Sequence, residues 1–343
     1  MATGSGLDAQ LGFAQESVVG TGVTVTKFAE FNSESLSLDV GYLEPAGLRV
    51  GRYHKRASRV KQSRRSVSGD IEFEVATRGL GMLFKHMLGS NATATQIGST
   101  TAYRQIHTPQ GKVGKSLTIQ VGRPEPGSGL VKPFTYRGCK ITSWELKLTD
   151  NGIMTLNVSV NGWDETTATA LAAASYTANA GVWSFPQATF KIGGTPSTSS
   201  GLLSVAGGTA VATVVKEISI KCEYPMATER YGIGNAGIKR EPLENSWPTI
   251  TGSLSAEFSQ AELYDVYTAG DYTPIELSLV GDEIGESGEN DTFSVIMPAV
   301  ILKSAAPTVS GPDIVQMTTG YEAYDNEVDA PIQLMTISAD TAL

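Results

Sequence analysis

The stretch Val67–Gly89 constrains this chain more than any other, because it reads as a strand followed at once by a helix, and because the same unit returns later. Asp70, Glu72 and Glu74 alternate with Ile71, Phe73 and Val75, the period of a half-buried strand. Leu80, Leu83, Phe84, Met87 and Leu88 then form one apolar stripe, which predicts a helix over Thr77–Leu88 with Thr77 as its cap and Gly89 at its end. At a spacing of 183 residues, Val67 answers to Ile250, Ser68 to Thr251, Gly69 to Gly252, Ile71 to Leu254 and Glu74 to Glu257. Val75 answers to Phe258, Leu80 to Leu263, Leu83 to Val266 and Phe84 to Tyr267. The second helix, Ser259–Ala269, opens on the capping box Ser259-x-x-Glu262 and stops at Gly270. Nine matched positions without a gap predict an internal duplication.

The order of the remaining elements agrees with this. A strand at Glu34–Leu43 answers to one at Val214–Tyr224, with Leu36 matched to Ile218 and Tyr42 to Tyr224 at a spacing of 182. Lys115–Val121 and Ile275–Val280 read as strands. So do the arms Cys139–Thr149 and Ile153–Val160, joined by Asn151-Gly152, the strongest short hairpin signal. The predicted fold class is mainly β (α+β), with two duplicated β-sandwich or β-barrel-like domains, each carrying one short flanking helix and a long inter-strand loop. The expected boundaries are an N-terminal arm over 1–32, irregular at Leu11–Ser17, a first domain over 33–165, an Ala/Thr-rich linker over 166–184, and a second domain with a C-terminal tail over 185–343.

Composition excludes several classes. Two cysteines, Cys139 and Cys222, one per half, read as buried thiols rather than a disulfide or metal pair. Met1–Gln10 has no basic or apolar signal region, and no apolar run approaches the length of a membrane span. The three histidines share no ligand spacing, and His86 reads as a flank position of the first helix. Gly232-x-Gly234-x-x-Gly237 matches a dinucleotide fingerprint, but Lys239, Arg240, Glu241 and Pro242 follow where a helix would have to open, so it reads as a glycine loop. Paired carboxylates such as Glu72 and Glu74 on a strand face read as solvated charge rather than acid–base machinery. The expectation is no enzyme, no cofactor and no metal.

Charge is segregated. Within a chain of net charge −9, Arg49, Arg52, Lys55, Arg56, Arg59, Lys61, Arg64 and Arg65 crowd one segment with no acid among them. Tyr53 is its only aromatic, too few for a base-stacking platform. Asp282, Glu283, Glu286, Glu289 and Asp291 form an acidic cluster in the second half, and Glu322, Asp325, Glu327 and Asp329 another. Basic and acidic segments on opposite halves point to head-to-tail contact between copies, with a solvated loop and a nucleic-acid patch as the competing readings.

At this point the chain resembles the tail tube proteins of long-tailed bacteriophages. The resemblance rests on Leu11-Gly-Phe-Ala-Gln-Glu-Ser17 through Gly20-Thr21 to Phe28, on Glu34-Ser-Leu-Ser-Leu38, and on Ser68-Gly-Asp-Ile-Glu-Phe73. In the second half it rests on Ala188–Gly194, Val215–Ile220 and Thr249–Gly252 with Leu254 and Phe258. It implies a β-sandwich-like fold flanked by a helix, stacked as rings around a DNA channel, with no catalytic residues to carry over. Many members carry one such fold and form six-membered rings. Two folds per chain imply trimers of pseudo-sixfold symmetry. The implied partners are the chain itself, the tape measure, tail terminator and distal tail proteins, and DNA in non-specific transit. The implied location is the virion tail, assembled in the host bacterial cytoplasm.

Under that resemblance the basic segment and the cluster Asp282–Asp291 are the inter-subunit contact candidates, and the polar strand faces, with Asp39, Asp70, Glu72, Glu74 and Glu257, are the lumen candidates, since like charge lets DNA slide. Two other readings stand beside it. One is another ring-forming tail component, a distal tail or terminator protein. The other is a carbohydrate-binding β-sandwich, which needs clustered exposed aromatics, whereas Trp144, Trp163, Trp183 and Trp247 are scattered.

Overall fold

The structure, a computed structural model, describes residues 5–125, 127, 129–211, 214–258, 262–309 and 311–343. The principal strands of the first half are β1 (Gln10–Gln15), β2 (Lys27–Ala29), β3 (Ser37–Leu43), β4 (Lys61–Glu74), β5 (Tyr103–His107), β6 (Leu117–Glu125), β7 (Leu130–Thr149) and β8 (Thr155–Gly162). Those of the second are β9 (Ala188–Ile192), β10 (Thr209–Ala210), β11 (Val215–Glu223), β12 (Thr249–Glu257), β13 (Thr273–Glu283), β14 (Asn290–Leu302), β15 (Ala306–Thr308), β16 (Gln316–Ala323) and β17 (Gln333–Ser338). The helices are α1 (Gly81–Leu88) and α2 (Glu262–Ala269). The chain is thus mainly β, as its alternation predicts. These strands pair antiparallel, and among the described residues no sheet closes into a barrel.

In the first half the paired order is β2–β1–β6–β7–β8–β4–β3. Phe13 faces Ile119, Leu117 faces Cys139 before a bulge, Val160 faces both Ile141 and Gly69, and Val67 faces Leu38. In the second half the order is β10–β9–β13–β14–β16–β12–β11, with β15 continuing along β16 beyond β14. Ile192 faces Ile275, Thr273 faces Val300 before a bulge, Tyr321 faces both Leu302 and Gly252, and Ile250 faces Cys222. The halves join through β7, whose C-terminal part lies between β8 and β11, so that Trp144 has Val158 on one side and Cys222 on the other. A second tie is β17, paired with β14 and with β5.

One face of this sheet is apolar and buried. Val67, Ile71, Phe73, Trp144, Leu146, Leu156, Ile220, Ile250 and Leu254 belong to a single core. Helix α1 packs on it through Leu83, Phe84, Met87 and Leu88, and Phe84 meets Phe293 at a ring distance of 5.7 Å. The helix begins at Gly81, four residues after the expected cap. Thr77 is used otherwise: its N–H donates to Gly181 C=O at 2.9 Å and its hydroxyl accepts from Gly181 N–H at 3.0 Å. Gly89 ends the helix in the left-handed conformation (φ 63°), as its position predicts. Helix α2 ends at Gly270 (φ 70°), while Ser259 of the expected capping box lies outside the described residues.

His86 is buried rather than flanking, and it joins Leu83, Phe84, Met87 and Leu88 among the buried positions of α1. His107 is buried against Phe84, with ring centres 6.0 Å apart, and shares a 3.1 Å hydrogen bond with Ser90 Oγ through Nδ1. Burial, aided by nearby lysine charge, holds both imidazoles down at about 3.

The N-terminal segment is ordered where irregularity was expected. Gln10–Gln15 is a strand between β2 and β6 with four buried residues in a row. Gly12 interrupts the alternation because any side chain there would collide with Phe28 and Val25, 2.8 Å from its would-be Cβ. The next residues are tied down by Glu16, which is 1% exposed. Its carboxylate accepts from Gly20 N–H (2.7 Å), Ser116 Oγ (2.6 Å), Thr118 Oγ1 (2.9 Å) and Gly138 N–H (2.8 Å). The stretch read as a linker also lies along the first half. Gln120 donates to Ala170 C=O and accepts from Ala172 N–H, and Trp183, 1% exposed, donates its backbone N–H to Val75 C=O.

Two outcomes follow from these buried groups. Glu16→Ala strands four donors and is expected to cost about 3 kcal/mol or more in denaturant unfolding. A histidine whose folded pKa is depressed binds a proton in the unfolded chain first, so its contribution to stability is present above pH 6.5 and is lost as pH falls towards 3. Each histidine adds a slope of about 1.4 kcal/mol per pH unit in that window, and His86→Leu is expected to flatten the fall in melting temperature between pH 6.5 and 4.

Candidate assembly and channel surfaces

Opposite the apolar core, register brings the polar alternate positions of eight strands onto one continuous face. On β3 and β4 it carries Ser37, Asp39, Ser68, Asp70, Glu72 and Glu74. Next come Ser159, Asn157 and Thr155 of β8, and Ser143, Glu145 and Lys147 of β7. Glu217, Ser219, Lys221 and Glu223 of β11 continue the row, followed by Ser253, Ser255 and Glu257 of β12. It ends on Gln316, Thr318 and Glu322 of β16 and Thr308 of β15. Lysines temper part of this acidity. Lys147 meets Glu217 at 3.0 Å, and Lys216, at the β11 bulge, reaches Glu257 at 3.0 Å. Lys221 pairs with Glu223, and Lys303 with Glu322 at 3.2 Å. Asp39, Asp70, Glu72, Glu74 and Glu145 make no ion pair among the described residues, and Ser159 Oγ donates to Asp70 at 2.6 Å. All five lumen candidates therefore sit on this one face. Glu145, Glu217 and Glu223 share it and escape notice in the sequence, where nothing shows that β7 and β11 are neighbours.

The basic segment divides into two parts. Residues 44–60 form a loop, while Lys61, Arg64 and Arg65 already belong to β4. Lys55 pairs with Glu44 and holds that carboxyl below its ordinary range by a hydrogen bond and by charge. Arg49, Arg52, Arg56, Arg59 and Lys61 have no ion-pair partner among the described residues, and Leu48, Val50 and Tyr53 stand almost fully exposed beside them. Arg64 and Arg65 are engaged within the chain. Arg64 lies 3.6 Å from Glu229 and 4.7 Å from the centre of the Tyr231 ring, and Arg65 shares Asp164 with Arg137 at 3.1 Å each.

Their cover is the glycine loop. Gly237 accepts from Arg65 N–H, with φ 77° and a would-be Cβ only 2.1 Å from Ser63 C=O, so only glycine fits. No helix opens after it. Lys239 Nζ instead donates to Asn161 at 2.6 Å, and Glu241 meets Lys140 at 2.6 Å. Beneath, Lys112 is buried 3.4 Å from the centre of the Tyr224 ring, donates to Ile141 C=O at 2.9 Å, and is pushed by burial down to about 7.

The acidic candidates also divide. Asp282, Glu283 and Glu286 are exposed and Glu289 half-buried around the β13–β14 turn. Asp291 is buried and paired with Arg78 at 3.0 Å. In the other cluster Asp329 is buried and accepts from Thr198 at 2.6 Å, leaving Asp325 and Glu327 exposed beside half-buried Glu322.

Cys139 and Cys222 are buried and unpaired; burial pushes both thiols up, that of Cys222 to about 11. Trp144 and Trp183 are buried and Trp247 exposed, so the tryptophans do not build a sugar-stacking groove. Among the described residues no group of three or more His, Cys, Asp or Glu is placed to hold a metal, and no helix is long and apolar enough to cross a membrane. No curated protein matches the chain. The family described as phage tail tube protein matches residues 6–330, nearly its whole length, and an antiparallel β chain with two short helices and an acidic sheet face is consistent with that match; the chain belongs to the phage tail tube protein family.

Proposed function

We propose that this structural tail protein carries the tube fold twice, closes into trimeric rings of pseudo-sixfold symmetry, and stacks those rings into a tube whose lumen is the acidic sheet face. The observation that supports this most is the pairing register. The orders β2–β1–β6–β7–β8–β4–β3 and β10–β9–β13–β14–β16–β12–β11 run in parallel, and matched strands keep constant offsets. The hairpin β7–β8 maps on β14–β15–β16 at an offset of 161, since Ile141 and Val160 answer to Leu302 and Tyr321. The bulge after Leu117 maps on the bulge after Thr273. Gly69 maps on Gly252, as in the sequence alignment, and Leu38 maps on Cys222. Leu36 then corresponds to Ile220 rather than to Ile218, a shift of two residues that keeps the same face.

A sheet this wide, polar on one side and apolar under helices on the other, suits a ring wall. Its unpartnered carboxylates suit a passage for a polyanion, which fixed negative charge keeps from adhering. The exposed tip of the basic loop, Arg49–Arg59, suits contact with acidic groups of a neighbouring copy. Exposed ion pairs contribute only about 0–1 kcal/mol each, so the loop steers and registers assembly more than it holds it. Tape measure, terminator and distal tail proteins are the other partners, and the host cytoplasm the place of assembly.

Negative-stain microscopy of the purified protein tests the reading. Hollow tubes or rings are expected from the wild-type protein. Arg49→Glu, Arg52→Glu and Arg59→Glu together are expected to leave the fold intact, slow polymerisation in light scattering, and weaken its salt dependence. Dispersed monomers from the wild type at all concentrations would refute the reading. For the lumen, Asp70→Lys with Glu72→Lys is expected to give tubes that retain duplex DNA on a filter where wild-type tubes release it. Equal retention by both would move this face away from the channel.

A further inference from the structure

Each half has, among the described residues, one strand edge that is unpaired where its counterpart in the other half is paired. β11 is held between β12 and β7, whereas its counterpart β3 pairs only with β4. The C-terminal part of β7 is held between β8 and β11, whereas its counterpart β15 pairs only with β16. The chain therefore contains one made joint, β7·β11, and the two halves of an identical joint left unmade at its ends. Resting on the duplicated-ring reading above, we propose that the β15 edge of one copy receives the β3 edge of the next in the register of β7·β11. Subtracting the offsets sets Leu36 opposite Pro307, Ser37 opposite Ala306 and Leu38 opposite Ala305.

Backbone chemistry at this register supports the match. Hydrogen bonds at the two ends of the made joint, Asp150 N–H to Lys216 C=O and Tyr224 N–H to Thr142 C=O, show that even-numbered β7 residues point their polar groups at β11. Leu146 is thus hydrogen-bonded to Ile220, and the corresponding pair is Pro307 with Leu36. Pro307 has no N–H to donate. Leu36 needs none at its carbonyl, which already accepts from Arg123 Nη2 at 2.7 Å and Tyr136 OH at 3.0 Å. The absent donor meets an acceptor that is already satisfied, and Leu36 N–H, which donates to Glu34 Oε2 at 3.0 Å, is satisfied as well, so this pair calls for neither backbone bond and the joint is held by the pairs beyond it. The same proline blocks that edge from pairing with strands that do require a donor there.

Charge supports the match independently. In the made joint the loop after β11 folds back over the first half, bringing Lys239 to Asn161, while Asp164 binds Arg65 and Arg137. At the offset of 161, Asn161 becomes Glu322 and Asp164 becomes Asp325. The loop that stands in the matching place after β3 is the basic segment 44–60. It would arrive over carboxylates, one half-buried and one exposed.

Ser37 and Ala306, both exposed, fall on a non-hydrogen-bonded pair, where Cα atoms lie about 4.5 Å apart, within disulfide reach. The test mixes separately purified Ser37→Cys and Ala306→Cys proteins under assembly conditions, oxidises them, and reads covalent dimers on a non-reducing gel. The native thiols are buried and leave the readout clean. Dimers are expected from the mixture and not from either variant alone. Ser37→Cys mixed with Thr308→Cys, two residues out of register, is expected to give about tenfold less. The double variant Ser37→Cys with Ala306→Cys is expected to give a covalent ladder that stops at the ring size. Rings visible by microscopy with no dimer from the mixture would overturn the register and leave the ring reading standing. Equal yield from the off-register pair would also overturn it. No rings and no dimer would overturn both.

Discussion

The pairing of β7 with β11 is the interaction on which the rest of the structure depends. Without it the run β2 to β3 and the run β10 to β11 would be separate sheets, tied through β17 and β5, each with an exposed border beside Trp144 or Cys222. With it the apolar positions of both halves merge into one core, and the polar positions line up across eight strands. β7 can do this because it is long. Its first ten residues serve the sheet that holds the N-terminal strand, and its last ten serve the sheet that spans the halves. A break in this strand would therefore disturb the pairings with β6, β8 and β11 together.

What sequence reasoning could see follows from what is local. The alternation in β4, the stripe of α1, the Asn151-Gly152 hairpin and the helix stops at Gly89 and Gly270 are properties of a few consecutive residues, and the structure has them. Thr77 failed as a cap because a distant backbone, Gly181, took both its polar groups. Leu11–Gln15 hid as a strand because Gly12 and burial on both sides remove the alternation by which strands are recognised. Trp183 hid in an Ala/Thr-rich stretch whose composition resembles a tether, although its indole packs against Phe293. Thr77 and Trp183 share one cause, a partner more than a hundred residues away, while Gly12 answers to Phe28 and Val25 packed against it from β2 and the residues leading into it.

The candidate surfaces show the same division. Polar alternation in each strand was legible, and with it Asp70, Glu72 and Glu74. The face as a unit was not, because it depends on register between strands that no local pattern pairs. Charge clustering was legible in the same limited way. Arg64, Arg65, Asp291 and Asp329 look like their neighbours in the sequence, yet they are spent on internal partners. In the loop tip Lys55 is paired with Glu44, while Arg49, Arg52, Arg56 and Arg59 have no ion-pair partner among the described residues.

The two cysteines carry a consequence for the proposed assembly of many identical copies. In a polymer, any reactive group on one subunit is presented at every repeat, so a single accessible thiol would offer a regular array of sites for scrambled cross-links and oxidative damage. Cys139 and Cys222 escape this by burial that keeps them as neutral thiols, so an assembly of this chain would present no reactive thiol of its own from these two positions. The same silence gives the scaffold a blank chemical background. One cysteine placed on an exposed position would be the only nucleophile to answer a thiol reagent, and could mark every subunit once with a probe, a metal or a cargo.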